Sequence, residues 1–121
     1  MAITPLACSL VGQNHAVTFN PNTRIREVYG QASVVEPYFC NYGLNPEYES
    51  RLESVGLHIT ARDAEGSARV VELDNHPFFV ATLCVFQARD HSSGPHPITR
   101  ALLQAAQQSM QRTISSPAGG R

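Results

Sequence analysis

The segment Leu73-Asp74-Asn75-His76-Pro77-Phe78-Phe79-Val80-Ala81-Thr82-Leu83-Cys84-Val85-Phe86-Gln87 holds the most concentrated apolar run in the chain. A tight turn at Asp74 to Pro77 feeds an almost uninterrupted apolar stretch, Phe78 to Phe86. Its length and its β-branched and aromatic content are those of a strand buried on both faces. Such a strand is expected at the centre of a sheet, with the rest of the chain arranged around it.

Working outward, the 121 residues, 42% hydrophobic and 16% charged, suffice for one small domain with a single core. Residues 1–112 are expected to form it, and 113–121 a flexible tail. Net charge is -1, with nine arginines and no lysine, so there is no basic surplus for a nucleic-acid backbone or an anionic membrane. No apolar run reaches the roughly 20 residues needed to cross a bilayer, and the N-terminus lacks a signal-like pattern, which points to the cytoplasm. Cys8, Cys40 and Cys84 are widely spaced and form no C-x-x-C, so free thiols are expected rather than disulfides or a zinc site. The five histidines, His15, His58, His76, His91 and His96, form no helical metal pair and read as solvated loop residues. Neither a metal nor a cofactor is called for.

Upstream, Ile3 to Val11 is an apolar segment broken by Pro5, a first strand near a sheet edge or one that begins at the proline, Gln13 to His15 is a turn, and Ala16 to Phe19 a second strand. Asn20 to Thr23 supply cap chemistry for a short helix, Arg24 to Tyr29, which Gly30 ends. Ala32 to Tyr42 reads as a strand in which Pro37 marks a bulge or an edge. A helix follows with Asn45 as cap, Pro46 at its first position, Tyr48, Leu52 and Val55 as its apolar stripe and Gly56 closing it. Leu57 to Arg62 and Ala68 to Leu73 make a hairpin around Gly66. Beyond the polar loop Ala88 to His96, Pro97 opens a last helix whose Ile98, Ala101, Leu102, Ala105 and Met110 form a packing face.

Two motifs carry a family resemblance. Asp74-Asn75-His76-Pro77-Phe78-Phe79-Val80 resembles the approach of CTP synthase glutaminase domains to their catalytic histidine and glutamate. Glu36 to Tyr48, E-P-Y-F-C-N-Y-G-L-N-P-E-Y, resembles the family stretch E-R-H-R-H-R-Y-E-V-N-N-E-Y without gaps. Arg51 to Leu57 and the His96-Pro97 pair also match, so the resemblance runs from Ile3 to about Ala106. It implies an α/β fold, the C-terminal part of a class I glutamine amidotransferase-like (flavodoxin-like) domain, with a mixed sheet and about three helices. The chain is also similar to stand-alone proteins related to the CTP synthase C-terminal region, some of which use selenocysteine.

Glutamine hydrolysis by that family needs a thiolate, a histidine base, a carboxylate to orient it and oxyanion donors. Val85 stands at the family's histidine position, Gln87 at its glutamate, and Phe39 at an arginine that helps hold glutamine. Cys8 lacks the glycines that flank the family's nucleophile. The resemblance therefore implies a pseudoenzyme, a degenerate glutaminase-like module that binds a small ligand or a protein. The ligand-binding candidates are Glu36, Tyr38, Phe39, Asn41, Tyr42, Val85, Gln87 and Arg89. Cys40 is the candidate nucleophile for the alternative, a thiol-dependent enzyme of different chemistry working as an oligomer or with an N-terminal partner half. Against that alternative, a buried, unreactive thiol is the commoner outcome for such a cysteine, with Glu36 roughly 13 Å away along the strand. A partial domain leaves apolar surface uncovered, so a homo-oligomer or a separate N-terminal amidotransferase-like half is the expected partner.

Overall fold

The computed structural model describes residues 1–89 and 94–115, the side chain of Ser115 excepted. Seven strands and three α-helices follow in the order β1 (Ile3–Pro5), β2 (Gln13–Phe19), α1 (Arg24–Tyr29), β3 (Ser33–Tyr38), β4 (Tyr42–Leu44), α2 (Glu49–Ser54), β5 (Leu57–Asp63), β6 (Ala68–Leu73), β7 (Val80–Thr82) and α3 (Pro97–Ser115). Single turns of 3-10 helix at Pro46–Tyr48 and Phe86–Ala88 precede α2 and follow β7. The main sheet has the order β3-β2-β5-β6-β7, and β1 and β4 form a separate two-stranded ribbon. The α/β architecture with three helices is the expected one, although every pairing among the described residues is antiparallel rather than mixed.

Local chemistry sets most of these elements. Thr23 caps α1 by accepting the Arg26 N–H, and Gly30, left-handed at φ 70°, closes it by donating to the Arg26 carbonyl. The Glu72 carboxylate on β6 accepts the Arg24 and Ile25 N–H groups at 3.2 and 2.9 Å, fastening α1 to the sheet through two otherwise orphaned donors. Asn45 accepts the Glu47 N–H at the start of the next helical segment, with Pro46 at its first position. Pro37 sits within β3, an edge strand, where the missing N–H leaves no gap in a central ladder.

Several expectations change. The strand after Pro77 is three residues long and lies at the sheet edge, not at its centre. The Thr82 hydroxyl bonds the Cys84 carbonyl at 2.8 Å and the Val85 N–H bonds the Pro37 carbonyl at 2.8 Å, so the chain turns away after Thr82. Two-sided burial belongs instead to β5 and β6, each with three consecutive buried residues, Ile59 to Ala61 and Ala68 to Val70. Arg69 hides there because its Nε and Nη2 both donate to Asp63 Oδ2, at 3.1 and 2.9 Å. Gln13 to His15 are not a turn: they extend β2, in register with Tyr38, Pro37 and Glu36, and their polarity reflects an exposed strand end. Val55 lies outside the α2 stripe and is exposed.

The core gathers Val17, Phe19, Ile25, Tyr38, Ala61, Val70, Cys84 and Ile98. Among the described side chains of α3 only Ile98 is buried outright, with Ala101 and Ala105 half-buried, whereas Leu102 and Met110 of the expected packing face are exposed together with Leu103 and Ile114. The expected tail, and His91 in the loop, fall largely outside the described residues.

Candidate functional site

The two groups of sequence candidates lie along one seam. Beyond the bond from Val85 to Pro37, the Cys40 thiol approaches the Leu83 carbonyl at 3.8 Å, and Arg89 Nε stands 3.5 Å from Glu36 Oε1. Glu36 and Tyr38 point into the core and are fully buried; the expected single strand Ala32 to Tyr42 is split, with Phe39 and Asn41 exposed in the link after β3 and Tyr42 exposed at the start of β4 in the separate ribbon. Val85 and Arg89 are half-buried and Gln87 is exposed, in and around the 3-10 turn Phe86–Ala88.

At the centre of the seam is a carboxylate removed from water. Glu36 is 1% exposed, and its Oε2 accepts from the Tyr29 hydroxyl and from His96 Nε2, the latter at 2.6 Å. His96, 2% exposed, uses its other nitrogen as well: Nδ1 accepts the Ile98 N–H at 3.0 Å. A nitrogen that accepts cannot carry a proton, so the hydrogen-bond pattern assigns the Nε2–H tautomer, donating to Glu36. The imidazole thereby caps α3 while holding β3, one end of the ring for each element. Phe86 lies tilted over His96 at 4.8 Å between centroids, and Tyr29 meets it edge-on at 5.3 Å. Among the described residues Glu36 Oε1 makes no hydrogen bond, and it faces the Arg89 guanidinium, which also lies over the Tyr29 ring at 6.0 Å.

Electrostatics favour holding over reacting. Burial, then the hydrogen bond to Glu36, raises the Tyr29 pKa, so that hydroxyl stays a donor. Burial pushes the Cys84 thiol up to about 11, which leaves it protonated near neutral pH. Cys40 is half-buried, with the Leu83 carbonyl oxygen as its hydrogen-bond neighbour. His96 has no lone pair left to act as a base toward either sulfur. Among the described residues no group of three or more His, Cys, Asp and Glu is arranged to hold a metal ion.

Sequence reasoning picked out Glu36 and Arg89 and missed Tyr29 and His96. The expectation of a solvated His96 is overturned by its burial against Glu36. A usable signal was present: a histidine directly before a proline at the first position of a long helix stands where side chains cap orphaned N–H groups.

Comparison with known proteins places this geometry in context. No family model matches the chain. It is 32% identical over 96 residues to the CTP synthase of Thermococcus gammatolerans, covering 78% of this chain and 18% of that protein. It is 33% identical over 86 residues to the CTP synthase of Methanococcus maripaludis, covering 70% and 16%. In structure it matches the glutaminase domain of Trypanosoma brucei CTPS with bound acivicin, at a TM-score of 0.80 and 20% identity, over 88% of this chain and 46% of that one. The chain thus spans less than a fifth of the length of these CTP synthases and about half of the glutaminase-domain structure.

Proposed function

We propose that this chain, a homologue of CTP synthases over most of its own length that carries the class I amidotransferase fold of their glutaminase domain, is a binding module without glutaminase activity. The observation that carries the reading is the engagement of His96, the one buried histidine among the described residues. His96 spends both ring nitrogens on the Ile98 N–H and on Glu36, while Val85 and Gln87 occupy the positions that the family resemblance assigns to a catalytic histidine and glutamate. A glutaminase base must offer a free nitrogen to a thiol. Here the imidazole is a structural latch, and the exposed residues Phe39, Asn41 and Tyr42 offer a surface for contacts with a small ligand or a protein.

The module also docks a partner that supplies the rest of the fold. Supporting this are the small share of the relatives that the chain spans, the edge of β7, unpaired among the described residues, and a groove of about 210 Å³ beside it lined by Ile3, Leu44, Leu52, Val71, Ala81 and Leu83. Enzymatic use of Cys40 is the competing reading, and it requires a base from that partner.

Glutamate and ammonia release from glutamine tests the reading directly, with acivicin and glutamine titrated in parallel by calorimetry. The expected result is no turnover above the buffer blank. Turnover that Cys40→Ser or Cys84→Ser abolishes would overturn it.

A further inference from the structure

A second polar cluster lies at the opposite end of the sheet from Glu36, at the start of β5. His58 Nδ1 is 2.5 Å from Glu53 Oε1, and Nε2 is 2.7 Å from Asp74 Oδ2. Ionised carboxylates only accept, so both ring nitrogens donate, and the side chain that satisfies both contacts is the doubly protonated imidazolium. The three residues come from three places: Glu53 from the last turn of α2, His58 from β5, and Asp74 from the turn that leads from β6 to β7.

The two carboxylates are not held equally. Glu53 has a second anchor, its Oε2 accepting the Ile59 N–H at 2.8 Å. The Asp74 carboxylate makes no other hydrogen bond among the described residues. Its backbone N–H bonds the Gly56 carbonyl at 2.9 Å, and its side chain lies against Gly56, whose φ of +90° suits glycine alone. The Asp74 end of the turn is therefore fastened by one side-chain contact and one backbone bond, while its Pro77 end is held separately by the Arg24 guanidinium, which donates to the Pro77 carbonyl.

We propose that His58 is a pH-operated strap that fastens the Asp74 to Pro77 turn, and with it the approach to the β7 edge, while both ring nitrogens carry protons. Facing it are Glu53 from α2 and Asp74 from the turn. Glu72 stands opposite in the β5–β6 register and is engaged by the α1 N-terminus, and Arg62 further along β5 is paired with Glu49. On losing a proton the ring keeps one N–H, and its bare nitrogen then faces a carboxylate at under 3 Å. The contact with fewer anchors, that of Asp74, is the one released.

The direction of the pH response follows. The hydrogen bond to Asp74, then that to Glu53, raises the His58 pKa above its ordinary value, so the strap is intact below that value and is lost as pH rises through the raised one. On the acid side the His58 contact, then the Ile59 N–H, lowers the Glu53 pKa, so that arm holds until pH falls through the lowered value. The strap is closed between these limits. It stands independently of the proposed function.

NMR titration of the full chain from pH 5.5 to 9 tests it, following the His58 ring and the Asp74 and Asn75 amides. The expected result is a His58 midpoint above about 6.5, with the two amides shifting at that same midpoint. In Asp74→Asn the midpoint falls and the amide response disappears, and in His58→Arg, which keeps a permanent charge, the amides show no transition. A midpoint at or below the ordinary value, an Asp74 amide indifferent to His58 titration, or an unchanged midpoint in Asp74→Asn would each overturn the strap. The Asp74→Asn comparison serves if His58→Arg does not fold.

Discussion

At the scale of single residues, Glu36 shows how an apparent site residue becomes part of the framework. Its carboxylate is stable without water because Tyr29 and His96 donate to one oxygen and Arg89 faces the other. Truncating His96 removes a hydrogen bond to a buried charge and the cap of α3 together. His96→Ala is therefore expected to destabilise the chain by about 2–4 kcal/mol, with Glu36→Gln costing less, as read by urea unfolding with a common slope. Thiol chemistry is decided at the same scale. Cys8 is exposed, Cys40 half-buried beside a carbonyl, and Cys84 buried with its pKa at about 11. Labelling of the folded chain with iodoacetamide at pH 7.5 should run in the order Cys8, Cys40, Cys84. Cys40 reacting ahead of Cys8 would restore the thiol-enzyme reading.

Elements are held by partners at their ends more than by their own length. With six residues, α1 is too short to persist alone. Three devices fix it: Thr23 at one end, Gly30 at the other and the Glu72 carboxylate reaching from β6. Thr23→Ala should cost about 1 kcal/mol, and Glu72→Ala at least as much because two N–H groups lose their acceptor, with the pair less than additive in a double-mutant cycle. These elements were also the legible ones. Caps, the Gly66 hairpin and the Pro37 edge strand are written within a few residues of where they act. The strand after Pro77 was misplaced because a short apolar run has the same composition at a sheet edge as at its centre. Arg62 and Arg69 interrupt the apolar pattern of the truly buried pair, and only the Asp63 contact shows how Arg69 is tolerated inside.

Across the whole molecule, apolar surface remains open. Leu103 and Ile114 on α3 are 64% and 74% exposed, and β7, which lines the apolar groove, is an edge strand with no further partner among the described residues. Surface of this kind, on a chain spanning about half of a glutaminase-domain structure, is expected to be covered by a partner or a second copy. Light scattering at low micromolar concentration should show a mass above the 13.2 kDa of one chain, or a shift to a defined complex once a polypeptide carrying the rest of the fold is added. A monodisperse monomer indifferent to that polypeptide would remove the docking proposal.

The sequence by itself determined the class of fold, the order of its helices and hairpin, and the kinship with CTP synthases, because capping, turn chemistry and ungapped motifs are local. Tertiary structure alone decided what His96 and Glu36 do, since 60 positions separate them and neither burial nor tautomer exists before the two elements meet. It also decided which strand lies inside. Burial is a property of what packs on both faces of a strand, and the hydrophobicity of the strand itself does not state it.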